Sequence, residues 1–204
     1  MSTTPTEPNA RDGVRVDRRA FVARLLGACP DALVVTGLGS PSYDAFAGGD
    51  RDRTFYLWGA MGGAVPMALG LALAQPDRPV LAITGDGEAL MGLGALATVG
   101  AQRPANLAIV VLDNAHYGET GMQRSHTGLG TRLADVARAC GIEDAIEVRA
   151  LDGADAIAQR VAARGGPAFV QVHVASDALP RALPPRDGAF LKNRFRAALG
   201  LGPL

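Results

Sequence analysis

The sequence predicts an α/β fold: a doubly wound, mostly parallel sheet with helices on both faces. Short runs rich in β-branched residues alternate with longer segments rich in alanine and leucine, the pattern of repeated strand-helix units. Two of the runs are almost wholly apolar, as strands are when both faces of a parallel sheet are covered. The connections are short, and crossovers in such sheets are right-handed almost without exception, so ligands belong at the carboxyl ends of the strands.

An opening helix fits Asp17 to Ala28, with Asp17 as its N-cap and Phe21, Val22, Leu25 and Leu26 on one face; Pro30 ends it. A strand follows at Ala32 to Thr36, a helix at Gly62 to Gln75, a strand at Val80 to Thr84, a helix at Ala89 to Ala101 and a strand at Leu107 to Leu112. Helix Leu133 to Cys140, strand Ile146 to Arg149, helix Ala154 to Arg164, strand Ala168 to Val174 and helix Phe190 to Leu199 complete the alternation. Met1 to Gly13 is polar and lacks the apolar run of a secretory signal. It is expected to be a disordered lead into a single domain over residues 14–204.

Composition narrows the function. The 204 residues carry 20 basic and 20 acidic side chains, a formal net charge of zero, with no block of like charge. Nucleic-acid binding by phosphate neutralisation is therefore not expected. Hydrophobic residues make up 48% and charged residues 20%, the proportions of a soluble globular protein. The longest apolar stretch, Gly59 to Ala74, is interrupted by glycines and Pro66 and falls short of the ~20 residues that a bilayer requires. Cys29 and Cys140 form no Cys-x-x-Cys or Cys/His pattern suited to zinc or iron–sulfur. A soluble cytoplasmic protein without membrane contact is the expectation. The 26 glycines cluster between Gly37 and Gly130, where backbone must approach backbone or a ligand.

Strand Val80 to Thr84 runs into Gly85-Asp86-Gly87, and strand Leu107 to Leu112 into Asp113-Asn114. If the two strands are neighbours, their tips lie roughly 5 Å apart, and a carboxylate and an amide oxygen can grip one hard cation. The glycines leave room for a phosphate near the N-terminus of the helix that starts at Ala89, where free N–H groups favour an anion. Few protein ligands and a bridging phosphate suit magnesium. Taken singly, Gly-Asp-Gly is also a tight turn and Asp-Asn an Asx-type turn. The dinucleotide fingerprint fails because Leu90 stands where its third glycine belongs, and no Walker A motif exists in a chain whose only lysine is Lys192. His116 and His126 are candidate proton donors or acceptors near neutral pH, with surface or capping roles as the plain alternative. His173, at strand spacing, reads as structural.

Gly85-Asp86-Gly87-Glu88, 26 residues after Gly87 and then Asn114, resemble the diphosphate-binding signature of thiamine diphosphate enzymes. The block Tyr56 to Ala74, the run Leu96 to Gly100, Asn106 to Asn114 and Arg194-Phe195 are similar to the β subunit of sulfopyruvate decarboxylase and the C-terminal half of phosphonopyruvate decarboxylase. The resemblance covers Ala32 to Leu199. It implies that Asp86 and Asn114 bind Mg2+ through side-chain oxygens and His116 through its carbonyl. Gly85, Gly87 and Glu88 would border the diphosphate, with Tyr117 and Gly118 beside it. Gly59, Ala60 and Met61 would meet the aminopyrimidine, Gly59 through its carbonyl and Met61 as the apolar wedge that bends the cofactor; a core methionine is the alternative. Glu88 departs from the small hydroxyl residue common in the group and must point away from the diphosphate or be offset by the metal. Gln123-Arg124-Ser125 replaces the usual Gln-Pro-Thr.

The resemblance further implies a 2-oxoacid decarboxylase subunit whose activating glutamate comes from a separate pyrimidine-binding chain, since no second α/β unit is present to supply it. Self-association is also expected, through a Gly-rich face from Gly37 to Gly63. The expected substrate is a small 2-oxoacid with a second anionic group, met by Arg124. Two alternatives stay open: a subunit of an acetolactate-synthase-like carboligase or a 2-oxoacid oxidoreductase, and a non-catalytic cofactor-binding module.

Overall fold

The computed structural model describes residues 15–202; the lead expected over Met1 to Gly13 lies outside them. Six strands form one sheet: β1 (Leu33–Thr36), β2 (Thr54–Tyr56), β3 (Val80–Gly85), β4 (Leu107–Asp113), β7 (Asp144–Val148) and β8 (Ala168–His173), in the order β2-β1-β3-β4-β8-β7. Every neighbouring pair is parallel. A separate antiparallel pair joins β5 (His116–Tyr117) to β6 (Gln123–Arg124). The helices are α1 (Arg18–Ala28), α2 (Ser40–Ala47), α3 (Ala64–Ala74), α4 (Asp86–Met91), α5 (Ala95–Gln102), α6 (Leu133–Ala139), α7 (Gly153–Ala163) and α8 (Gly188–Ala198).

Side chains alternate across a strand, and the alternation builds two cores. Leu81 and Ile83 of β3, with Ala108, Val110 and Leu112 of β4, pack with Phe21, Leu25 and Ile157 from α1 and α7. Val80 and Ala82, with Leu107, Ile109 and Val111, pack with Ala68, Val99 and Leu133 from α3, α5 and α6. The sheet is therefore buried on both faces, as its apolar runs require. Asp17 caps α1, its Oδ1 accepting the Ala20 N–H at 2.9 Å. Among the described residues no helix is long and apolar enough to cross a membrane.

Four expectations need correction. Residues Gly37 to Gly63, expected as a partly uncovered Gly-rich face, also contain α2 and β2, with Ala47 to Asp50 and Gly59 to Met61 exposed. Gly39 takes a positive φ of 82° and Pro41 sits in the first turn of α2, which buries Tyr43, Asp44 and Ala45. Asp44 is fully buried and ion-paired with Arg18 at 2.7 Å and Arg19 at 3.0 Å. Second, the helix expected over Ala89 to Ala101 is two helices, and the first starts at Asp86. Gly92 and Gly94 interrupt it, and Gly92 lies so close to the loop before α3 that a Cβ there would sit 2.3 Å from the Gly62 carbonyl oxygen. Third, α3 starts at Ala64, leaving Gly62 and Gly63 to the loop. Fourth, the strand expected over Ile146 to Arg149 is β7, shifted toward the amino end.

Candidate active site

Parallel pairing sets Gly85 of β3 opposite Leu112 of β4. The residues that follow, Asp86 and Asp113-Asn114, therefore emerge side by side at the carboxyl edge. A cleft of about 120 Å³ opens there, lined by Met61, Gly85, Asp86, Gly87, Glu88, Asn114, His116, Tyr117 and Gly118, with Arg18, Leu38, Ser40 and Glu119 among its other walls. A larger cavity of about 490 Å³ lies at the opposite edge, beside the amino ends of β7 and β8, between Arg103, Asp144, Arg160 and Gly165. No predicted site residue touches it, and doubly wound sheets bind ligands at the carboxyl ends, so the smaller cleft is the candidate site.

Asp86 is only 2% exposed. Ser125 Oγ donates to its Oδ2 at 2.5 Å, and Thr127 Oγ1 stands 3.1 Å away. Burial, and then the negative charge of Asp113, push the Asp86 pKa up to about 6 against the pull of these hydroxyls. Asp113, equally buried, accepts three hydrogen bonds: on Oδ1 from Thr127 Oγ1 at 2.7 Å and the Ala115 N–H at 2.9 Å, and on Oδ2 from Gln171 Nε2 at 2.6 Å. Asn114 Oδ1 accepts the His116 N–H at 2.9 Å. Asp113 and Asn114 thus each form an Asx-type turn, and Ala115 follows at a φ of 64°. Thr127 Oγ1, 3.1 Å from Asp86 Oδ2 and 2.7 Å from Asp113 Oδ1, bridges the two strand ends.

Met61 lies in the loop before α3, 44% exposed, which removes the core-methionine alternative. Gly59, Ala60 and Gly62 around it have φ of 73°, 48° and 89°; Gly59 and Ala60 do not line the cleft. Glu88 is 4% exposed and accepts the Thr84 hydroxyl on Oε2 at 2.8 Å. His116 lines the cleft with Nδ1 2.9 Å from the Asn114 carbonyl oxygen. His126 does not line it; the ring is exposed, with Nδ1 2.9 Å from the Tyr117 hydroxyl. Arg124 is also outside, its guanidinium on the Gly128 carbonyl, while Glu119 pairs with Arg181 at 3.0 Å. His173 is structural, 2.9 Å from Glu147 Oε2.

Sequence reasoning missed Asp113 as a second buried carboxylate, Ser125 and Thr127 as the hydroxyls on Asp86, and Gln171 as the amide behind Asp113. The hydroxyl at Ser125 was visible in Gln123-Arg124-Ser125, but its reach back to Asp86 depends on the β5–β6 turn.

The chain belongs to the thiamine pyrophosphate enzymes: residues 43–172 match the family model for the C-terminal TPP binding domain of those enzymes. Within that family it is 44% identical over 111 residues to sulfopyruvate decarboxylase subunit beta of Methanocaldococcus jannaschii, covering 54% of this chain and 58% of that protein. It is 40% identical over 200 residues to phosphonopyruvate decarboxylase of Streptomyces viridochromogenes, covering 95% of this chain and 49% of that one. Sulfopyruvate decarboxylase subunit beta of Methanothermobacter thermautotrophicus is 39% identical over 159 residues, covering 78% of this chain and 82% of its own length. The chain spans about half the length of the first two relatives. In fold it is similar to benzoylformate decarboxylase from Polynucleobacter necessarius, with a TM-score of 0.65 and 20% identity over 87% of this chain and 36% of that one.

Proposed function

We propose that the chain is the diphosphate-binding subunit of a thiamine diphosphate-dependent 2-oxoacid decarboxylase of the sulfopyruvate or phosphonopyruvate type, active with a separate pyrimidine-binding chain. The observation that carries this reading is the cleft that collects Met61, the Gly85-Asp86-Gly87 turn and Asn114 at one strand edge. The residues suit the cofactor and Mg2+. Among the described residues no group of three or more His, Cys, Asp and Glu side chains converges as a metal site. A single carboxylate and an amide oxygen, Asp86 and Asn114, are the sparse oxygen set on which magnesium relies when a diphosphate completes its shell. The His116 carbonyl would be a third protein ligand. At Gly87 a Cβ would lie 2.8 Å from the Tyr117 ring, whereas Gly85 and Gly118 have room for close approach of a phosphate.

When bound, the cofactor supplies the nucleophilic carbon that adds to a 2-oxo group and the ring that accepts the electrons released as CO₂ leaves. This chain's residues hold and orient it. Met61, apolar and presented from a loop, would press on its middle; Gly59 would accept from the aminopyrimidine through its carbonyl; the His116 side chain lies within the cleft as a candidate proton carrier. His126 sits outside the cleft, with Nδ1 2.9 Å from the hydroxyl of Tyr117, which lines it.

Substituting Met61 by alanine is expected to lower kcat of the assembled enzyme while cofactor affinity stays within a few-fold. Because the side chain is exposed, the unfolding free energy should change by no more than about 0.5 kcal/mol. Steady-state kinetics beside urea denaturation separates the two, and a large stability loss at normal turnover would return Met61 to a packing role.

The reading is tested by CO₂ release with saturating thiamine diphosphate and Mg2+. The isolated chain should be inactive on sulfopyruvate and phosphonopyruvate. Mixing with a pyrimidine-domain chain that carries the activating glutamate should raise the rate to about 1 per second or more. Turnover at that rate by the isolated chain would refute the two-chain scheme.

A further inference from the structure

We infer that Glu88 is a positioning residue: its carboxylate wedges into the crevice between the ends of β1 and β3 and fixes the Met61 loop relative to the Asp86 turn. The inference rests on the cofactor reading above for its catalytic consequence, while the contacts themselves stand apart from it. The strand order reverses between β1 and β3, since β2 lies outward of β1 on one side and β4 outward of β3 on the other. A doubly wound sheet opens a crevice at such a switch point. Here the crevice is closed from within by an acid.

Three features show how. Gly37, which follows β1, leaves the space that the carboxylate occupies: a Cβ built on Gly37 would lie 1.5 Å from Glu88 Oε2 and 2.6 Å from Cδ. The Thr84 hydroxyl, on the last turn-ward residues of β3, donates to the same Oε2 at 2.8 Å. Gly62 and Ala64 border one small cavity together with Thr84 and Glu88, and Leu38 lines the cleft beside Glu88, whose Oε1 has no hydrogen-bond partner among the described residues. These residues belong to the loop after β1, to the loop before α3 and to the first residue of α3. One side chain therefore touches three segments.

Such a group is an uneconomical way to fill space, because a buried carboxylate with an unsatisfied oxygen is unfavourable where an apolar side chain would pack without penalty. Its placement suits a mechanical role. Glu88 stands two residues after Asp86 on α4, and Gly62, which borders the same small cavity as Glu88, directly follows Met61. The Met61 loop has little support of its own: three of its residues have positive φ, and its internal backbone hydrogen bond is Gly63 N–H to the Ala60 carbonyl at 2.8 Å. Gly62 in turn abuts Gly92 at the end of α4. Fixing the carboxylate thus fixes the distance between the apolar wedge at Met61 and the carboxylate at Asp86.

The contact makes a specific double-mutant prediction, because Gly37 does not have a positive φ and the three heavy atoms nearest to a Cβ there all belong to the Glu88 carboxylate. The full chain is prepared as G37A, E88S, E88Q and G37A/E88S. Thermal unfolding without cofactor is followed for each, then thiamine diphosphate and Mg2+ affinity by calorimetry, then kcat and KM for sulfopyruvate after assembly with the pyrimidine-domain chain. G37A should lower the unfolding midpoint, and adding E88S should restore it to the E88S value, a coupling expected only of residues in contact. E88S should lower kcat about tenfold or more while cofactor affinity stays within about threefold, and E88Q, which keeps an acceptor for Thr84, should recover most of the loss. A G37A/E88S chain no more stable than G37A would overturn the contact. Wild-type kcat in E88S, equal losses of kcat and affinity, or no recovery in E88Q would overturn the positioning role. If the wild-type chain binds no thiamine diphosphate, the functional reading falls, and the stability cycle still judges the Gly37–Glu88 wedge.

Discussion

Replacing Asp86 by asparagine is expected to stabilise the cofactor-free chain and at the same time weaken Mg2+-dependent binding of thiamine diphosphate tenfold or more, about 1.4 kcal/mol. The two effects share one cause. Burial and the neighbouring Asp113 raise the Asp86 pKa to about 6, above the ordinary value near ~3.9. A carboxyl whose folded pKa is raised favours the folded state while it is protonated. That contribution is fully present below its unfolded pKa and is lost as pH rises through about 6. At pH ~7 the chain therefore folds around an unfavourable negative charge, which asparagine removes without changing shape. The stability gap between D86N and wild type should narrow as the buffer is taken from neutral to mildly acid. Cofactor affinity of the wild type should fall over the same range, since a metal ligand must be deprotonated. Calorimetry at two pH values reads both trends; undiminished affinity in D86N would remove Asp86 from the metal site.

The largest loss of stability is expected from Asp44→Ala. This carboxylate is fully buried and receives Arg18 Nε on one oxygen and Arg19 Nε on the other. Its removal leaves the Arg18 guanidinium, in a residue only 8% exposed, with the Asp177 carbonyl at 3.2 Å as its remaining hydrogen bond. Breaking a buried pair by deleting one partner costs about 3–5 kcal/mol, to be read from the urea midpoint at unchanged slope. A loss under about 1 kcal/mol would mean that Arg18 finds water instead. Because Arg18 also lines the cleft, the same variant should bind the cofactor less well even where it remains folded.

Both residues illustrate what was legible beforehand. Asp86 and Asn114 could be placed because apolar strand runs end just before them, whereas the pairing of those two strands entered only as a condition, met by the β3–β4 pairing. Asp44 could not, since nothing in SPSYDAFA has the helical periodicity needed to identify an eight-residue helix, and the short edge strand Thr54–Tyr56 carries too few residues to show alternation. The break in the helix after β3 was hidden for a different reason. Gly92 and Gly94 were visible, but a glycine inside a helical pattern is often tolerated; what enforces the break is contact with Gly62, thirty residues earlier. The Ser125, Thr127, Asp113 and Gln171 network draws on three separate segments and has no spacing that a single sequence displays. For Glu88 the chemistry was legible in part: an acid beside the expected diphosphate site had either to turn away or to be offset by the metal, and the space it occupies depends on Gly37.

The all-parallel sheet also shapes how the chain must be made. No neighbouring strands in it can zip together as a local hairpin: Leu33 waits for Val80, and Ala108 waits for Ala168. Non-local pairing of this kind closes long loops before any contact repays them, which slows folding. During synthesis at ~5–20 residues per second, β4 emerges with seven residues that are all buried in the finished sheet and only Asp113 to discourage association. Its second neighbour, β8, is translated after α6, β7 and α7. Through that interval an apolar strand with one unpaired edge is offered to any other nascent chain, so the recovery of folded protein is expected to depend on elongation rate and growth temperature as well as on the stability of the finished fold.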